Sequence, residues 1–401
     1  MARHFLATWL STGLAISTAL CLVVPSAVSA QNAEPILIGV SAAFTGGSAA
    51  MGLSARQGIE IAAKEINAKG GVLGRPLKLV ERDDEGKNEV GVQVAQELID
   101  KERVVATVGF VNTGVALAAQ RFYEDARIPV MSCATTGTMV TRQFLPPDYE
   151  HNYVFRNGLY DSLQAGKMVE EAVERRKFTR LAILADSTNY GQLGRADLES
   201  ALSAKGVVPV AVEKFNIKDI DMTAQLLRAK QAGAEAILTY GIGPELAQIA
   251  NGMAKLGWKV PLIGSNPMGM TSFVEIAGYN AEGARMVQSF IPDASTPRRR
   301  AFLEAFRTDY NLERIGNPPS AAQCYDAFYL LAAALAQARS TDGGKIREAL
   351  ESLEQPVEGV IGTYRKPFTA GNHDAFDPSY ALIGEVRGGV IVSAHESDRP
   401  R

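Results

Sequence analysis

The chain has 401 residues, 46% of them hydrophobic, and a formal net charge of −3 at pH 7. That length allows two or so domains with ample core, and the mild acidity argues against a nucleic-acid partner. Residues 1–30 read as a cleavable export signal, with a basic start at Arg3, an apolar stretch from Leu14 to Val24 and the small-residue end Val28-Ser29-Ala30. Ser11, Thr12, Ser17 and Thr18 break the apolar run, which argues against a membrane anchor. Leu20 beside Cys21 makes a poor lipoprotein site. A soluble, exported protein is expected.

Ile36 to Val40 reads as a buried parallel strand. It stops at the loop Thr45-Gly46-Gly47-Ser48 and is followed by a helix over Gln57–Asn67, with Ile59, Ala62, Ala63 and Ile66 on one face. Gly70-Gly71 ends that helix, and a second strand from Leu77 to Glu81 runs into Asp83-Asp84-Glu85, expected to be a solvated turn. Strand, loop, helix and strand make a βαβ unit whose loop lies at the strand's carboxyl end, where open α/β sheets bind ligands.

The rhythm continues. Strands are expected at 104–108 and 128–132, with a helix over 114–123 between them. After Val154-Phe155-Arg156 and a helix near 162–175, a second series follows. Its strands are expected at 180–184, 208–213, 236–240 and 261–264, and its helices at 194–205, 222–232 and 244–256. A strongly apolar helix over 321–338 and another over 344–353 precede β-like pieces near 361–364 and 380–386. The Arg298-Arg299-Arg300 cluster reads as a solvated helix start. Two βα series imply an α/β protein of two doubly wound, Rossmann-like lobes with a cleft between them.

Catalytic and metal chemistry is hard to place. His151, His373 and His395 are widely separated, with no metal-ligand spacing to Cys, Asp or another His. No G-x-S-x-G elbow, Walker loop or G-x-G-x-x-G turn is present. No cofactor is expected. An exported enzyme on a Rossmann-like fold therefore has only fold analogy behind it. Outside the signal, Cys133 and Cys324 remain, either as a disulfide of the oxidising compartment or as two separate buried thiols.

The stretch EINAKGGVLGRPLKLVERDDEG (65–86) resembles the periplasmic solute-binding proteins of the leucine/isoleucine/valine-binding family. The resemblance implies the type I periplasmic-binding fold, in which the chain crosses between lobes three times. By analogy the crossings fall near Phe155-Arg156, Val287-Gln288 and Val360-Ile361, so one lobe holds 31–155 plus 289–359 and the other 156–288 plus 360–401. It also implies a non-enzymatic monomer that takes a small-molecule solute to the membrane permease and ATPase of an ABC importer. A ligand-sensing protein serving a receptor would use the same chemistry.

The same resemblance supplies site residues. Thr113, beside Asn112, falls where the family sets a hydroxyl against a ligand carboxylate, and it can also cap a helix. Ala134 and Thr136, flanking Thr135, match an A-x-T element that offers a carbonyl and a hydroxyl. Tyr190 matches a tyrosine that packs over the ligand. Met51 and Ile242 stand where aromatics are common, and Asn266 stands where amino-acid binders carry a carboxylate for the ligand ammonium. A neutral Asn266 cannot offset the desolvation of an ammonium, which favours an apolar or aromatic organic acid over a leucine-like amino acid, although Asp161, Glu245 or another acid could approach the ammonium instead.

Overall fold

The computed structural model describes Met1 and residues 33–396, so the export-signal reading of residues 1–30 lies outside the described residues. The first series comprises β1 (Ile36–Ala42), α1 (Ala49–Ala68), β2 (Leu77–Asp83), α2 (Asn88–Gln96), β3 (Ala106–Gly109), α3 (Thr113–Asp125), β4 (Val130–Ser132) and β5 (Val154–Arg156). The second begins with α4 (Asp161–Val169), β6 (Leu181–Asp186), α5 (Asn189–Ser203), β7 (Ala211–Phe215) and α6 (Thr223–Gln231). It continues through β8 (Ala236–Tyr240), α7 (Gly243–Lys255), β9 (Leu262–Gly264), α8 (Thr271–Ala277) and β10 (Arg285–Gln288). The chain ends with α9 (Pro297–Tyr310), α10 (Pro318–Ala338), α11 (Gly343–Glu351), the short β11 (Val357–Glu358) and β12 (Thr363–Tyr364), then β13 (Leu382–Arg387) and β14 (Val390–Ser393).

Five parallel strands form the first sheet in the order β2-β1-β3-β4-β5. Ile38 of β1 lies opposite Leu79 on one side and Ala106 on the other. Both faces of β1 are covered, so the strand is apolar along its length rather than alternating. Helices α1 and α10 cross so closely that a Cβ on Gly58 would lie 2.2 Å from the Ala321 carbonyl oxygen, which restricts that position to glycine. The hydroxyls of Tyr325 and Tyr329 both donate to Glu65 of α1, at 2.6 and 2.5 Å.

The second sheet has seven strands in the order β14-β13-β10-β9-β8-β6-β7. It is parallel from β7 to β10, while β13 runs antiparallel to both β10 and β14. The chain thus leaves the first sheet after β5 and the second after β10, and rejoins the second at β13. Buried Asp326 of α10 accepts hydrogen bonds from Val360 N, Ile361 N and the Tyr364 hydroxyl at 2.7, 3.0 and 2.8 Å, tying that stretch to α10. Arg156, at the end of β5, forms a buried ion pair with Asp374 at 2.7 Å.

Several expectations are corrected by packing. The Asp83-Asp84-Glu85 turn is not a solvated loop: Asp84 is fully buried and accepts from the Ser41 hydroxyl and Gly86 N at 3.1 and 3.0 Å. Burial pushes the Asp84 carboxyl up to about 6, with those two hydrogen bonds opposing. Asp83 receives Phe44 N and the Thr45 hydroxyl at 2.8 and 2.7 Å, fixing the β1–α1 loop. Within the arginine cluster Arg299 is buried, paired with Asp293 at 2.5 Å and stacked 4.3 Å from the Phe290 ring. Helix α5 begins at Asn189 rather than Gly194, because the Thr188 hydroxyl accepts from Gly191 N and caps an extra turn. Cys133 and Cys324 are joined in a disulfide, with Cα atoms 4.9 Å apart.

Candidate functional site

Parallel strands deliver their loops to one edge, and here two such edges face each other across a cavity of about 220 Å³. The loops after β1, β2, β3 and β4 form one wall, and those after β6, β8 and β9 the other. This is where doubly wound sheets place ligands. The volume lies below the roughly 300–1,000 Å³ of drug-sized pockets, so the occupant is small.

Seven residues singled out from the sequence line this space: Met51, Asn112, Thr113, Ala134 and Thr136 on the first wall, Tyr190 and Ile242 on the second. Thr113 opens α3, and its side chain does not cap that helix. Its hydroxyl instead accepts from Gly137 N at 3.2 Å, which joins the β3 and β4 loops and leaves the hydroxyl proton available to a ligand. Gly114 follows in the first turn of α3 and also lines the cavity. First-turn amides have no intrahelical acceptor, so they present donors and partial positive charge to a carboxylate. Asn112 donates to the Ser48 hydroxyl at 2.9 Å, while its own Oδ1 is buried without a partner. On the far wall the Tyr190 hydroxyl bonds Ser265 at 2.6 Å, and its ring packs edge-on against Tyr240, 5.5 Å away.

Two residues of the sequence reading are placed elsewhere. Thr135 is buried with its hydroxyl bonded to that of Ser132, facing its own strand because neighbouring residues alternate direction. Asn266 is fully buried, with its backbone N–H on Gln164 and its Oδ1 accepting from Gln288. Its neighbour Pro267 lines the cavity in its stead. The neutrality of Asn266, which does not line the cavity, therefore says nothing about whether a ligand carries an amine.

The sequence reading missed Asn88 and Thr188 as cavity residues. Each sits at the last loop position or the first turn before a helix that follows a strand, a signal that strand-end logic could have used. Asp161, offered by the sequence as an acid able to approach a ligand ammonium, does not line the cavity. This first residue of α4 is fully buried behind Thr136, and its carboxyl is pushed up to about 7 by burial. The Thr136 hydroxyl and Arg156 pull it down, and Asp197 pushes it up.

A family model described as periplasmic binding protein matches residues 35–384. The chain belongs to that family. Leu/Ile/Val-binding protein homolog 3 of Brucella melitensis is 28% identical over 362 residues, covering 89% of this chain and 93% of its own. The leucine binding protein LivK of Thermotoga maritima superposes with a TM-score of 0.77 at 25% identity, over 90% of this chain and 98% of its own. An ABC transporter substrate-binding protein of Desulfitobacterium hafniense, solved in complex with Leu, gives a TM-score of 0.71 at 26% identity over 90% and 100%. The fold is that of a type I periplasmic binding protein of the branched-chain amino acid type, and the family is one of solute-binding proteins rather than enzymes.

Proposed function

We propose that this protein is the periplasmic substrate-binding component of an ABC importer and captures a small carboxylate-bearing solute without transforming it. One observation carries the reading: the cavity is closed by loops from both sheets and has the α3 N-terminus and the Thr113 hydroxyl at its wall. The helix end and the hydroxyl suit a carboxylate, while Met51, Val111 and Ile242 offer apolar surface for the rest of the solute. The relatives named for leucine, isoleucine and valine support a solute of that size.

Capture works by hinge closure between a lobe built on the first sheet and one built on the second. The hinge lies in the segments after β5, after β10 and before β13. Ligand docks on one wall, the other shuts over it, and the closed form is the one a permease recognises. Calorimetry against amino acids and small organic acids, with solution scattering at saturating ligand, tests the reading. The expected result is one retained solute class and a smaller radius of gyration. A converted solute, or no binding across the panel, overturns it.

A further inference from the structure

Four consecutive residues of α10, Gln323 to Asp326, are buried where the chain passes between the two sheets. Asn157, the first residue after β5, donates from its side chain to the Gln323 carbonyl at 2.9 Å. Ser289, the first residue after β10, accepts from the Gln323 side-chain amide at 2.7 Å. Ahead of β13 the link runs through Tyr364, whose hydroxyl donates to Asp326 at 2.8 Å and lies against Asn157. The rings of Phe376 and Tyr380, in the segment that leads into β13, stack on Tyr364 with centroids 6.4 and 6.0 Å away. One turn of α10 is thus connected to each segment in which the chain changes sheets.

The same turn reaches the wall of the cavity. Cys324 is joined to Cys133, the residue before Ala134. A Cβ on Gly158 would lie 3.0 Å from Cys133 O and 3.1 Å from Gln323 Oε1, so the chain leaving β5 runs closely between the wall loop and α10. Asn157, Ser289 and Gln323 do not themselves line the cavity.

We propose that this turn of α10 makes the three crossings rotate as one unit when the walls close, with Gln323 as a positioning residue for closure rather than a ligand contact. This rests on the hinge-closure reading and adds the device that makes closure concerted. The physical ground is burial. If one crossing moved while the others stayed, it would break a bond to Gln323 or Asp326 and leave a buried donor or acceptor whose desolvation nothing offsets. Partly turned hinges are therefore penalised, and the molecule has two arrangements rather than a continuum. The disulfide passes the same constraint to the loop that carries Ala134 and Thr136.

The experiment is a double-mutant cycle of Asn157→Ala and Ser289→Ala. It is read by stopped-flow binding of leucine and of 4-methyl-2-oxopentanoate, and by solution scattering at saturation. Each single variant should release its probe about fivefold faster, with association unchanged and less compaction than wild type. The double variant should match the singles within about twofold, because one broken link already frees the crossings from each other. Release accelerated by the product of the single effects, or singles at the wild-type rate, overturns the concerted device while leaving binding and closure intact. A wild type that binds neither probe, or binds without compaction, overturns the closure reading and the device together. Should a variant fail to fold, hydrogen exchange of the wild type decides. The bound probe should slow exchange at the Asn157, Ser289 and Val360 amides by one common factor, and factors that differ by more than about threefold overturn the proposal.

Discussion

Ten of the fifteen residues around the cavity come from loops of the first sheet and five from the second. The first wall is held by bonds that tie one loop to the next: Asp83 fixes the β1–α1 loop, Asn112 reaches Ser48, and Thr113 accepts from Gly137. Next to Ala134, the Cys133–Cys324 disulfide ties the β4 loop to α10. The second wall is more apolar, with Tyr190, Ile242 and Pro267, and the Tyr190 hydroxyl is tied to Ser265 within its own lobe. A preorganised wall loses less entropy when a ligand docks. On the proposed reading the first wall makes first capture and the second retains the solute.

The largest effect should come from the disulfide, which closes a separation of 191 residues. Cys324→Ala should lower stability by about 4 kcal/mol, read from denaturant midpoints. A loss under about 1 kcal/mol would remove the disulfide from the account of a braced first wall. Next come Thr113→Val and Thr136→Val, each expected to weaken binding by about 1.5–3 kcal/mol, tenfold or more, with cooperative unfolding retained. Affinities equal to wild type in both variants would make these loops simple turns and break the comparison at its centre.

Tyr190→Phe removes the hydroxyl that bonds Ser265 and lies against Thr136, and should cost about 0.5–1.5 kcal/mol. In stopped-flow measurements that loss should fall on release, with association unchanged. A slower association instead would place Tyr190 in docking and reverse the roles of the walls. Smallest of all, Asn88→Ala and Asn189→Ala remove exposed rim amides and should each stay within about 0.5 kcal/mol. A larger loss would show that the cavity mouth, rather than the first wall's interior, grips the ligand.

Much of this was legible in the chain because it is local. Ile36–Val40 and Ala236–Tyr240 carry the continuous apolar runs of strands covered on both faces and fall within β1 and β8, while Leu77–Glu81 falls within the edge strand β2, where Lys78 is exposed. Loops following such strands must gather at one sheet edge, which brought Met51, Asn112, Thr113, Ala134, Thr136, Tyr190 and Ile242 to one cavity. Helix starts were less visible. Thr188 caps α5 a turn and more ahead of its apolar pattern, since a cap is one hydrogen bond rather than a periodicity. Helices α2 and α8, nine and seven residues long, are too short to show a sustained period.

Periodicity and strand-end chemistry in the chain thus decide the two βα series and the edge at which the cavity lies, because both depend on residues close in sequence. Direction and pairing of side chains required the folded molecule. Asn266 turns to Gln288, Asp84 closes against Ser41, and Cys133 meets Cys324 across 191 residues. Asp161 gains its character in the same way: the burial that raises it, the Asp374 partner that occupies Arg156 and the Tyr190 on the opposite wall all arrive from distant segments. Charge and desolvation act through space, so which carboxylates lie buried follows from the packing of distant segments rather than from sequence spacing.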